Sequence, residues 1–253
     1  MGALTSVPSG VSVVTTTWNE HENISELIRR IRAALAGIPH EIIVVDDSST
    51  DGTLQAAQQV ADIAISKPRE GQSKGLLYGM RLAKYSTIVT IDADLENDPA
   101  LIPVIIDKLR GCDLAVASRT IIPRFSERFA SKTLGKAVGA SDFYSNFRAY
   151  KKAVVQEIKL KRGETFGGEL LVRAKKQGFK ICELTYQPSP RRSKPRIGGT
   201  IRANLRISIA TIKCAAVYLA RKSAPESSVM DFAPLKQSLS KSFAKRGFSE
   251  PQT

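Results

Sequence analysis

Residues 88–99 read Ile88-Val89-Thr90-Ile91-Asp92-Ala93-Asp94-Leu95-Glu96-Asn97-Asp98-Pro99. An apolar, β-branched run stops abruptly in carboxylates at alternate positions, Asp92, Asp94 and Glu96. The run has the composition of a buried strand. The acids therefore fall just past its carboxyl end, where open α/β sheets bind their ligands. Carboxylates this close repel one another unless a cation holds them. Hard oxygen ligands suit Mg²⁺ or Mn²⁺, with substrate phosphates completing the shell. The competing reading is a solvated acidic turn leading into a helix after Pro99. Asp-X-Asp by itself does not separate the two.

Upstream, a pattern of alternating elements leads to this strand. Val11-Ser12-Val13-Val14-Thr15 is a short strand pattern, and Thr16-Thr17-Trp18-Asn19-Glu20 follows it. Ile24, Leu27, Ile28, Ile31 and Leu35 recur at helical spacing, and Gly37 and Pro39 close that helix. Residues 41–45 form a second strand, apolar from Ile42 onward, as in a sheet covered on both faces. It runs into Asp46-Asp47-Ser48-Ser49-Thr50-Asp51-Gly52-Thr53, where Asp51 or Thr53 suits the cap of a helix reaching about Val60. A third strand is expected at 61–66, a Gly-rich charged loop at 67–75, and a helix at 76–83. This β-α-β-α-β-α-β order predicts a parallel, doubly wound sheet with right-handed crossovers. Two strands then end in paired acids, Asp46-Asp47 and Asp92-X-Asp94, at one sheet edge. Each pair alone reads equally as a turn, whereas together they favour a nucleotide-diphosphate site. No G-x-x-x-x-G-K-[ST] loop and no G-x-G-x-x-G after the first strand occurs, so P-loop and hydride chemistry fit poorly.

Length and composition set the bounds. The 253 residues, 42% hydrophobic, suffice for one substantial core plus appendages. Cys112, Cys182 and Cys214 are far apart, odd in number and not spaced for metal, which predicts free thiols in a reducing compartment. Residues 1–10 lack the pattern of a signal peptide, and no run of about 18 apolar residues is present. A cytoplasmic protein, peripheral at the cytoplasmic face of a membrane, is expected. The net charge of +14 is unevenly spread. Residues 1–118 carry 10 Lys/Arg against 15 Asp/Glu, and residues 119–222 carry 24 against 6. The first part suits a cation and the second an anionic partner such as phosphate, acidic lipid or nucleic acid. Few aromatics interleave with the basic residues, which argues against nucleic acid.

Together these stretches resemble family 2 glycosyltransferases with the GT-A fold. The resemblance rests on Val14-Thr15-Thr16-Thr17-Trp18-Asn19-Glu20, on Val44 to Thr53 and on Ile91-Asp92-Ala93-Asp94-Leu95. Asp113 to Arg119 and Ser141 to Tyr150 continue it. Glu169 to Ala174 and Arg191-Arg192-Ser193-Lys194 are similar to the dolichyl-phosphate mannosyltransferase, or polyprenyl-phosphate glycosyltransferase, branch. It implies a GT-A catalytic domain over 11–199. It also implies nucleotide-sugar contacts from Thr16, Trp18, Asn19, Glu20, Asp46, Asp47, Lys74, Asp92, Ala93 and Asp94. Asp92, Asp94 and Glu96 would hold Mn²⁺ or Mg²⁺, and Asp94, Arg119 and Arg128 would serve catalysis. Arg119, Arg128, Arg192 and Lys194 would meet the acceptor phosphate, while Asp142 or Glu169 would orient the sugar or act as base. The reaction implied is an inverting transfer of a sugar, mannose from GDP-mannose first, onto a polyprenyl monophosphate. UDP-glucose, UDP-N-acetylglucosamine or a non-phosphate acceptor are alternatives, and a basic nucleic-acid-binding protein is the rival from another class.

Residues 200–222 form a basic amphipathic helix, with Ile201, Leu205, Ile209, Ile212, Ala216 and Leu219 on one stripe and Arg202, Arg206 and Lys213 on another. Such a helix lies in an anionic membrane surface or packs on the sheet. A membrane-protein partner would supply an anchor in the former case. Residues 1–10 and the Ser-, Lys- and Pro-rich 223–253 are expected to be disordered.

Overall fold

The computed structural model describes residues 9–188 and 200–220. Arg191, Arg192, Lys194, the start of the chain and the 223–253 tail therefore lie outside the described residues.

The expected alternation is present: β1 (Val11–Thr17), α1 (His21–Ala34), β2 (His40–Asp46), α2 (Thr53–Val60), β3 (Ile63–Ser66), α3 (Gln72–Leu82) and β4 (Thr87–Thr90). A short 3-10 turn (Pro99–Leu101) opens α4 (Ile102–Lys108), and β5 (Leu114–Arg119) follows. Then α5 (Phe125–Ala130) runs through a π-helical segment (Ser131–Gly135) into α6 (Lys136–Val138). The remaining elements are β6 (Arg148–Lys151), α7 (Lys152–Glu157), α8 (Gly168–Gln177), β7 (Ile181–Tyr186) and α9 (Thr200–Leu219). The strand order is β3-β2-β1-β4-β6-β5-β7, parallel except for β6, which runs against both β4 and β5. This is a mixed α/β, GT-A-type sheet with helices on both faces.

The sequence explains the layers. Central strands are apolar on both sides: Ile42, Ile43, Val44 and Val45 are all fully buried. One core face holds Ile42 and Val44 against Ile24, Leu27, Ile28 and Ile31 of α1. The other holds Ile43 and Val45 against Leu76, Leu77 and Met80 of α3 and the inner faces of α8 and α9. Each such side chain contributes about 1.5–3 kcal/mol on full burial. The parallel register Thr17↔Asp46 then brings the ends of β1 and β2 to the same edge, with Asp92 beyond β4 beside them.

Two expectations are corrected, and the fold shows how the C-terminal helix, left open between two placements, sits. The loop expected through Gly75 ends at Gly71, whose φ of 97° turns the chain so that α3 begins at Gln72. Cys112 and Cys182 are joined in a disulfide across 70 residues, because pairing of β5 with β7 sets their Cα atoms 6.0 Å apart. The odd cysteine, Cys214, is buried as expected of a space-filling thiol. The helix α9 packs on the domain, and the stripe of bulky apolar residues is not the face that packs. Ala203, Ile207, Ala210, Cys214 and Val217 are buried, whereas Ile201, Leu205, Ile209, Ile212 and Leu219 are exposed. Small residues win the inner face because α8 approaches closely: a Cβ on Gly168 would lie 2.9 Å from Cys214 Sγ. No helix among the described residues is long and apolar enough to cross a membrane.

Candidate active site

A cavity of about 840 Å³ opens at the carboxyl edge of β1, β2 and β4. Its walls bring together Thr16, Trp18, Glu20, Asp47, Asp92, Ala93, Asp94, Glu96 and Arg119 from the expected set. Asn19, at φ 56°, lies behind this wall as a brace: its side-chain oxygen accepts from Thr50 N at 3.0 Å, and its own N–H donates to Ser49 Oγ at 2.8 Å. Glu20 N donates to Thr53 Oγ1 at 2.8 Å, and Asp51 Oδ1 accepts from Thr53 N at 3.1 Å, a turn that leads into α2 through its N-cap Gly52.

The paired acids after β2 divide their work. Asp46 is buried away from the cavity, accepting from Thr17 Oγ1 at 2.9 Å and Ser49 N at 2.8 Å. Asp47 faces the cavity and organises the next loop. It pairs with the buried ammonium of Lys67 and accepts from Glu70 N at 3.0 Å and Gly71 N at 3.1 Å. Lys74 does not line the cavity; it pairs with Glu70 at 2.6 Å one helical turn away. Arg69 lies 3.5 Å over the Trp18 ring, a cation–π stack at the rim.

Asp92 and Asp94 form the acidic floor. Asp92 accepts from Gln72 Nε2 at 2.6 Å, which the early start of α3 makes possible. Withdrawal from solvent, then the neighbouring Asp94, pushes the Asp92 carboxyl up to about 7, against the pull of Arg119, Gln72 and Arg148. Two mutually repelling acids on one wall fit a divalent cation that a diphosphate and water would complete. No group of three or more His, Cys, Asp or Glu converges as a metal cage among the described residues. Glu96 lines the cavity without joining such a cage, and its N–H donates to Asp94 Oδ1 at 3.1 Å.

Arginines line the same cavity as the acids. Arg119 grips Asp142 through two points, Nε to Oδ2 at 2.6 Å and Nη2 to Oδ1 at 3.2 Å, and reaches Glu127 at 3.4 Å. Burial lowers the Arg119 pKa, but Asp142 and Glu127 more than reverse this, so the guanidinium stays charged. Arg124 pairs with Glu127 at 2.9 Å. Asp142 is fully buried and does not line the cavity, so it orients Arg119 and has no path to a substrate proton. Glu169 is equally buried. It accepts from Lys161 N and Arg162 N at 2.9 Å each and pairs with Arg173 at 2.7 Å, which anchors a loop on α8. Arg128 is exposed on α5 and is not part of the cavity wall.

Several wall residues had no local signal in the sequence. Glu164 arrives from the loop before α8 and accepts from Ser73 Oγ at 2.6 Å. Phe166, at φ 48°, and Tyr144 form an aromatic side, and Arg202 and Arg206 enter from α9. Asn146 lines the cavity with its side-chain oxygen buried and unpartnered.

The cavity at the carboxyl edge of the sheet is lined by acids and by arginines together. The profile of "Glycosyl transferase family 2" matches residues 12–174, and the chain belongs to that family. Dolichol-phosphate mannosyltransferase of Pyrococcus furiosus is 33% identical over 197 residues, 70% of this chain and 55% of the relative. Dodecaprenyl-phosphate galacturonate synthase of Rhizobium johnstonii is 29% identical over 169 residues, 59% of this chain and 50% of the relative. The chain thus spans about half the length of the curated relatives it matches. Glucosyl-3-phosphoglycerate synthase of Mycobacterium tuberculosis, solved with Mn²⁺, uridine diphosphate and phosphoglyceric acid, superposes with a TM-score of 0.68 at 21% identity. That match covers 87% of this chain and 81% of the other, and supports the shared fold.

Proposed function

We propose that this chain transfers a sugar from a nucleoside-diphosphate donor to a polyprenyl monophosphate, with GDP-mannose as the first candidate donor. The observation that carries the reading is one cavity lined by Asp92 and Asp94 and by Arg119, Arg124, Arg202 and Arg206. A leaving diphosphate is supported through a cation held by acids and an attacking phosphate directly by arginines, and one cavity offers both kinds of residue. The relatives' names, a mannosyltransferase on dolichol phosphate and a galacturonate synthase on dodecaprenyl phosphate, point to the same acceptor class.

In this account Trp18 and Arg69 flank the base, and Asp47 stands near the ribose. Asp92 and Asp94 would hold Mn²⁺ or Mg²⁺, which would act as a Lewis acid on the departing nucleoside diphosphate. Gln72 fixes the Asp92 carboxylate, and Arg119, held by Asp142, turns its positive charge to the cavity. A phosphomonoester has its second pKa near 6 and is ionised at neutral pH, so its attack on the sugar C1 requires no general base. This agrees with the removal of Asp142 and Glu169 from the reacting volume. Catalysis then rests on positioning and charge compensation. A single in-line displacement inverts the anomeric centre.

The exposed apolar residues of α5 and α9, with the basic balance of residues 119–222, support residence at the surface of an anionic membrane, and the proposal takes that surface to be the cytoplasmic one. The test is a transfer assay with undecaprenyl phosphate in detergent and radiolabelled GDP-mannose, UDP-glucose or UDP-N-acetylglucosamine, each with Mn²⁺. One donor should label the lipid fraction. Release of free sugar with every donor and no labelled lipid overturns the acceptor assignment.

A further inference from the structure

The arginines facing the cavity are not equivalent. Arg119 and Arg124 are already matched by Asp142 and Glu127, and Arg69 is stacked on Trp18. Arg202 and Arg206 line the same cavity, yet neither has an ion pair or hydrogen bond among the described residues. They stand at i and i+4 on α9, one turn apart on one face of the helix. That spacing lets two guanidinium forks converge on a single phosphate.

The helix that carries them is held in place. Ser126 Oγ of α5 donates to Asn204 Oδ1 at 2.6 Å, between the two arginines in sequence. Tyr144 and Thr211 hydroxyls meet at 2.9 Å, and Lys176 of α8 donates to the carbonyls of Val217 at 2.7 Å and Tyr218 at 3.2 Å at the helix end. The side chain of Ile207 is buried between these anchors and also touches the cavity. Two unmatched cations are therefore presented by a fixed element.

Beside each arginine in sequence is an exposed aliphatic residue: Ile201 is 87% and Leu205 60% accessible. On the adjoining α5, Phe125 and Phe129 are 73% and 57% accessible. Charge at the cavity mouth thus passes directly into apolar surface. A free nucleotide has no use for that surface, whereas an amphiphile with a phosphate head uses both parts. We infer that Arg202 and Arg206 bind the phosphate of a lipid monophosphate acceptor, whose chain leaves over Leu205 and Phe125. The assignment rests on the proposed transfer reaction for its acceptor class, and it moves the acceptor's anchor from Arg128 to α9.

The test uses the full chain, the double variant R202Q/R206Q, the conservative R202K/R206K, and R110Q as a remote control. Farnesyl phosphate, farnesol, inorganic phosphate and GDP are compared by thermal shift, and KM is measured for undecaprenyl phosphate and for the donor. We expect farnesyl phosphate to stabilise the wild type more than farnesol or inorganic phosphate does. That shift should vanish in the Gln pair and partly return in the Lys pair. The acceptor KM should rise at least roughly tenfold in the Gln pair, as loss of charge-assisted bonds requires, with donor KM and the GDP shift unchanged. Loss of the GDP shift instead would place the pair on the donor diphosphate and overturn the inference, as would an unchanged farnesyl phosphate shift. If the wild type labels no lipid but keeps an arginine-dependent farnesyl phosphate shift, the transfer reading fails while the binding site stands.

Discussion

Asp142 accepts the Arg119 guanidinium at two points, 2.6 Å and 3.2 Å, with the carboxylate fully buried and the arginine 15% exposed. The contact joins the end of β5 to the loop before β6 and fixes the direction of a cavity cation. D142N keeps the shape and removes the charge, leaving Arg119 with only the more distant Glu127. Breaking such a buried pair costs about 3–5 kcal/mol. The expected result in urea unfolding is a loss in that range, together with a large fall in kcat. A stable D142N with full activity would show that the pair does not position Arg119.

The raised Asp92 pKa gives a pH dependence with a defined sign. Its folded pKa, about 7, lies above the ordinary aspartate value, so the folded state prefers the protonated form. In metal-free protein this group therefore costs stability as pH rises from about 4 through 7. D92N removes that cost, so the apo variant should melt a few degrees above the apo wild type at pH 8 and close to it at pH 4.5. Mn²⁺ should stabilise only the wild type. Equal melting of both proteins at pH 8 would contradict a raised Asp92 pKa, set first by burial and then by Asp94.

Cys214 is buried against α8, and burial pushes its thiol up to about 12. A thiol this protonated is a poor nucleophile. With Cys112 and Cys182 joined, native protein should react with less than one equivalent of a disulfide-exchange reagent over minutes. Denaturation should expose one thiol, and reduction under denaturing conditions three. Rapid labelling of Cys214 in the native protein would mean that α9 leaves α8 readily.

What was legible in the sequence was whatever local pattern decides. The β-branched run before Asp92, the apolar strand before Asp46 and the heptad-like spacing of α1 each carry their own signal, and the sheet edge follows from them. Partnership was not legible. Asp142 and Glu169 look like catalytic acids in sequence, and only the fold places Arg119 and Arg173 against them. Residues 201–219 offer two apolar stripes, and spacing alone does not say which one packs. Close approach at Gly168 selects the stripe of Ala203, Ala210 and Cys214. Glu164, Arg202 and Arg206 reach the cavity only through long-range packing, so no spacing rule could find them. The Cys112–Cys182 bond likewise depends on a strand pairing 70 residues apart.

In the proposed reaction Asp92 and Asp94 bind a nucleotide sugar through a divalent cation. The most direct test is a thermal-shift panel of GDP-mannose, UDP-glucose and UDP-N-acetylglucosamine, with and without Mn²⁺, on the wild type and on Asp94→Ala. A donor at about 100 times its Kd adds roughly 2.7 kcal/mol to stability, which such a measurement resolves. A Mn²⁺-dependent shift for one donor, lost in Asp94→Ala, is expected. A shift that survives the substitution, or no shift with any donor, would contradict this binding.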